Sequence, residues 1–190
     1  MKQSKVLRYV ILFTQWYVLM ILAAIGLDYV LHYFHLPGVG RALGYAGTLL
    51  LIVSFIYSLR KRRILKEGSP RKWLMFHEYL AWMGSVLLLV HAGIHINAII
   101  PKLAVVMLLI NVASGLVGKF LLRQSIEHLE ESKLSLAQTG LDPEGINRKL
   151  FFDSILVESM KHWRTFHLPI AFLFGLFSLL HILTIFIFGK

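Results

Sequence analysis

The stretch WLMFHEYLAWMGSVLLLVHAGIH, residues 73–95, sets the reading of this chain. It is an apolar run of the length that crosses a bilayer as a helix, for which about 20 residues suffice. His77, His91 and His95 interrupt it. His77 and His91 are fourteen residues apart. In a helix that is just under four turns, so the two rings share nearly one face and sit roughly 21 Å apart along the axis. A second stretch, WRTFHLPIAFLFGLFSLLHILTIFIF at 163–188, repeats the spacing with His167 and His181.

On either side of these stretches the chain divides further, giving five apolar spans at about 9–33, 42–59, 73–99, 103–121 and 164–188. The fold expected is an all-α bundle of five transmembrane helices forming a single domain over 1–190. Composition agrees, with 57% hydrophobic and only 16% charged residues in 190. Leu36-Pro37-Gly38-Val39-Gly40 reads as a turn, Gly68-Ser69-Pro70 ends a basic loop, and Pro101 marks a tight hairpin. Lys2, Lys5 and Arg8 precede an apolar stretch longer than the core of a signal peptide, so the first span reads as an anchor. There is no Cys, which excludes disulfides, thiolate metal sites, iron–sulfur clusters and covalent haem attachment within these residues.

The net charge of +10 is explained by placement rather than by nucleic acid. With the N-terminus inside, seventeen of the twenty Lys and Arg residues fall on inner segments, and only Arg41, Lys102 and Lys190 fall outside. That is a strong positive-inside bias, and it implies a multi-pass protein of the cell inner (cytoplasmic) membrane. Spans three and five then run in the same direction. His77 and His167 lie near the inner face, and His91 and His181 near the outer face.

A six-coordinate b-type haem takes one axial imidazole from each side. Two parallel helices with matched pairs therefore suggest two stacked haem b groups, ligated by His77/His167 inside and His91/His181 outside, and an electron path across the bilayer. Two other readings compete. An intramembrane histidine can be a helix–helix hydrogen-bond donor. It can also serve a metal-ion transporter or sensor for iron, copper or zinc. Spans three and five hold no core Asp and no Cys, and Glu78 lies near the edge, which disfavours a bare-ion pathway.

Other residues fit around the four histidines. Gly84 lies midway between His77 and His91, and Gly175 between His167 and His181. Glycine lets a flat macrocycle approach the backbone, although small residues also serve helix packing in membranes. Arg71, Lys72 and Arg164 sit where inner propionates would need cations. Trp73 and Trp163 suit an interfacial belt. His95, one turn beyond His91, is a candidate alternative ligand, propionate donor or quinone contact, with His32, His35 and Asn97 near the same surface.

The polar segment 123–162 is expected to carry an inner-surface amphipathic helix between spans four and five, or a solvated connecting helix. Thr139-Gly140-Leu141 breaks it, and Asp142-Pro143 reads as an N-cap followed by Pro at the first helical position.

The pattern Trp73-Leu-Met-Phe-His77 with thirteen residues before His91, and Trp163-Arg-Thr-Phe-His167-Leu-Pro with thirteen before His181, resembles dihaem b-type cytochromes. It is similar to ferric-reductase-like transmembrane domains and to small prokaryotic cytochrome b subunits of respiratory complexes, over about residues 70–188. Ferric reductases have a sixth span and a flavin- and nucleotide-binding domain. Here there are five spans and no Gly-rich dinucleotide motif. The resemblance implies four ligands and a transmembrane electron path. It implies an electron-transfer subunit of a quinone-linked oxidoreductase complex rather than an enzyme alone. The expected partners are an iron–sulfur, flavin or multihaem protein and a quinone or quinol.

Overall fold

The computed structural model describes residues 5–36, 38–61, 69–95 and 98–188, and their regular structure is entirely helical. Helix α1 runs Lys5–Tyr33, α2 Val39–Ser54, α3 Ile56–Lys61, α4 Pro70–His95 and α5 Ile99–Leu116. A π-helical turn, Val117–Leu122, leads into α6, Arg123–Gln138. Then come α7, Pro143–Lys149, and α8, Phe151–Phe188. Five segments are long and apolar enough to cross a membrane: Val10–Tyr33, Val39–Ser58, Arg71–Ile94, Ile99–Phe120 and Thr165–Phe188. The chain is an all-α, multi-pass membrane bundle.

Local chemistry sets most of the helix ends. After α1 the Leu36 N–H donates to the Leu31 carbonyl (2.9 Å) and His35 takes a positive φ of 54°. This is the left-handed closure that glycine usually supplies. His35 therefore ends a helix, and it is exposed. Pro70 opens α4, where a missing N–H costs nothing. Pro101 sits in the first turn of α5 for the same reason, so the fourth span starts at Ile99 and not at 103. Asp142 caps α7, accepting from the Gly145 N–H at 3.3 Å, with Pro143 next to it. Gly140 turns the chain there with φ 77°.

The segment between spans four and five is helical, as expected, and its geometry is more specific than a helix lying on a surface. α6 continues from the fourth span through the π turn without a break, because residues 119–138 contain no Pro or Gly. α8 likewise begins at Phe151, well before its membrane span. At 38 residues it is roughly 57 Å long. α6 packs against α8, and both helices extend beyond the apolar spans.

Inside the bundle the helices form two closely packed pairs, α2 with α4 and α5 with α8. α1 covers α4, and Met20, Ala24, Val86 and Val90 form the buried core between them. α4 and α8 pack very little against each other.

Candidate functional site

Three of the four histidines are contacted by the helix that backs them. α2 crosses α4 at Gly47 and Gly84, where a Cβ on Gly84 would lie 3.0 Å from the Gly47 carbonyl oxygen and one on Gly47 would lie 2.9 Å from that of Gly84. Small residues at such crossings let membrane helices approach closely. The missing side chain of Gly84 makes room for α2, the helix-packing role weighed for it beside a cofactor approach. Gly175 has open space where a side chain would be, with nothing within 4 Å.

The close crossing brings α2 carbonyls within reach of the α4 rings. His91 Nδ1 lies 2.9 Å from the Gly40 carbonyl oxygen. The ring lies over Gly44, where a Cβ would come within 2.8 Å of Nδ1. His77 Nδ1 lies 3.0 Å from the Ser54 carbonyl oxygen. That carbonyl is available because the second span breaks its hydrogen-bond register at Phe55: the Ser58 N–H donates to the Phe55 carbonyl (2.8 Å) instead of reaching back to Ser54. The His77 ring also stacks on Tyr57, with centroids 5.5 Å apart.

On the other pair, α5 backs α8. Ser114, buried, places its Oγ 3.0 Å from His167 Nδ1. Gly115 faces the same ring, and a Cβ added there would lie 3.8 Å from Cε1. The fourth ring, His181, meets His91 across the gap between α4 and α8, with ring centroids 6.3 Å apart and planes at 51°. The outer pair is thus brought ring to ring. His77 and His167 each lie fourteen residues before an outer partner on helices running the same way, so they share a depth about 21 Å below it.

A carbonyl oxygen can only accept. Both α4 histidines therefore carry their proton on Nδ1, leaving on Nε2 the lone pair that a metal would need. Imidazole nitrogen binds a metal at about 2.0–2.1 Å, so two rings sharing one iron have centroids roughly 6 Å apart. The outer pair fits that requirement. The scant packing between α4 and α8 also fits a flat group between them. Among the described residues no three His, Cys, Asp or Glu side chains gather as an ion-binding group.

The remaining candidates are more dispersed. Arg71 and Lys72 are exposed in the first turn of α4. Arg164 and His95 are in helices, but their side chains, and all of Asn97, lie outside the described residues. His32 Nδ1 is 2.9 Å from the Asp28 carbonyl and 3.6 Å from its carboxylate. One Asp28 oxygen is sealed against Gly93 and has no hydrogen-bond partner among the described residues. Glu78 is paired with Lys119 of the π turn at 2.8 Å, and the ammonium also lies 5.7 Å from the Tyr79 ring and 6.0 Å from that of Trp16.

Sequence reasoning missed Gly40, Gly44, Ser54, Tyr57 and Ser114. Gly40, Gly44 and Gly47 at helical spacing in the second span were a visible signal for a close helix crossing, as was a lone Ser114 in an apolar span. No family model, curated protein or solved structure matches this chain.

Proposed function

We propose that this chain is an electron-transfer subunit holding two haem b groups, ligated by His77 with His167 and by His91 with His181. The observation that carries the reading is the outer pair, two imidazoles with ring centroids 6.3 Å apart on helices that share few contacts. The fixed Nδ1 tautomers of His77 and His91 support it. Haem supplies reversible one-electron chemistry when bound.

The chain's own residues provide the rest. The backing carbonyls orient the rings and raise their basicity as ligands. The apolar spans exclude water, and the helical rise sets two centres at two depths. Arg71 and Arg164, at the end rich in basic residues, are proposed to meet inner propionates, and His95 to serve the outer site. Gly175 is proposed to leave room beside α8. A bare-ion transporter or sensor is less well supported, because an ion held without a macrocycle typically needs three or four protein donors at one point.

The charge asymmetry supports an N-terminus in the cytoplasm and a place in the inner membrane. We further propose a quinone or quinol as one redox partner and an iron–sulfur, flavin or multihaem subunit as the other, docking on the helical extension formed by α6 and α8. The test is a reduced-minus-oxidised spectrum of protein produced with ample haem. Two b-type haems per chain are expected in the native protein and one in His91→Ala. Native protein without haem absorbance overturns the reading.

A further inference from the structure

We infer that Ser114 is the positioning residue of the inner site: its hydroxyl holds His167 in the metal-binding tautomer and sets the electron affinity of that centre. The inference rests on the haem reading above.

Hydroxyls in membrane helices usually bond to their own helix, one turn back. Here Thr14, Thr48, Ser54, Ser85 and Thr184 do so, each donating to a carbonyl three or four residues away on its own helix. Ser114 differs, because its Oγ contacts a side chain on a neighbouring helix, His167 Nδ1, at 3.0 Å. It is only 3% exposed, so water does not compete for the contact. Gly115 lies beside the same ring, and a Cβ added there would be in ordinary contact with Cε1 at 3.8 Å.

The direction of the hydrogen bond follows from the ligand role. If His167 Nδ1 accepted from the hydroxyl, the ring proton would sit on Nε2 and block coordination. Coordination through Nε2 requires Nδ1–H to donate to the Ser114 oxygen. Accepting that proton makes the imidazole more electron-rich, which favours the oxidised metal. On α4 the same task falls to main-chain carbonyls of Ser54 and Gly40, which no side-chain change removes. On α8 it falls to a side chain. Of these three contacts, the one to His167 is made by a side chain and can be deleted by a point substitution.

Ser114→Ala removes the hydroxyl that contacts His167 Nδ1. Redox potentiometry should show the inner centre moving to higher potential while the outer stays in place. Haem titration into the apoprotein should show the inner affinity falling about 10- to 100-fold, the usual loss for a partner of a ligating histidine. Ser114→Thr keeps a hydroxyl and should restore both values. Ser85→Ala removes a hydroxyl of similar burial that serves only its own helix, and should change neither. The inference is overturned if Ser114→Ala leaves the inner potential and affinity unchanged, shifts both centres equally, or is not rescued by threonine. Native protein that binds no haem would instead remove the reading beneath it.

Discussion

At the scale of single residues, the proposed ligands depend on atoms that have no chemistry of their own. His91 is held because Gly44 has no side chain. A methyl there would sit 2.8 Å from Nδ1 and push the ring off the Gly40 carbonyl. Gly44→Ala should therefore weaken the outer haem about tenfold, in line with losses at other partners of metal-binding histidines. Haem titration followed by the optical spectrum checks this, and an unchanged outer affinity would show that the ring position is not set by this contact. The four histidines themselves were legible in the sequence, since equal spacing on a helix is arithmetic. Their partners were not. Two are backbone carbonyls, which every residue carries, and sequence cannot say which one faces a ring.

At the scale of elements, the Gly47–Gly84 crossing fixes how close α2 lies to α4, and so whether the Gly40 and Ser54 carbonyls reach the two rings. Gly84→Val would drive carbon atoms into the Gly47 carbonyl, now 3.0 Å from an ideal Cβ. Overpacking of this kind typically costs about 1–3 kcal/mol. Thermal unfolding in detergent should show the loss, with both α4 ligands losing their carbonyls together. A variant as stable as the native protein would place the helix contact elsewhere. The sequence placed Gly84 at the centre of the third span but left a cofactor approach and helix packing both open. Without the position of α2, a glycine facing a helix and a glycine facing a macrocycle look the same. The break at Phe55 was equally hidden, because no Pro or Gly marks it. It shows as a shifted hydrogen bond, Ser58 N–H to Phe55 carbonyl, and it leaves the Ser54 carbonyl to His77.

At the scale of the molecule, the bundle is built on two closely packed helix pairs, α2 with α4 and α5 with α8, with α6 and α8 prolonged beyond the apolar spans. On the proposed orientation that end faces the cytoplasm. Because the chain has no Cys, single substitutions give clean topology reporters. Ala137→Cys in α6 should react with an impermeant maleimide only from the cytoplasmic face, and Ala98→Cys at the start of α5 only from the opposite face. Both positions are exposed. Labelling of both from one side would overturn the alternating path and, with it, the parallel course of α4 and α8 that matches His77 to His167.

Residue order alone is enough to set the five spans, the direction expected of each, and the depth of His77, His91, His167 and His181. These follow from apolar length, charge placement and helical rise, which are local or additive along the chain. Which helix backs which ligand, the use of Gly84 at a crossing, and the turn of Ser114 toward His167 emerge only from packing. They depend on the approach of helices distant in sequence, and a difference of about an ångström at Gly44 or Gly47 determines whether a carbonyl reaches an imidazole. The paired spacing of residues 73–95 and 163–188 marks where the four histidines lie, and the packing of α2 and α5 against them governs how three of them are held.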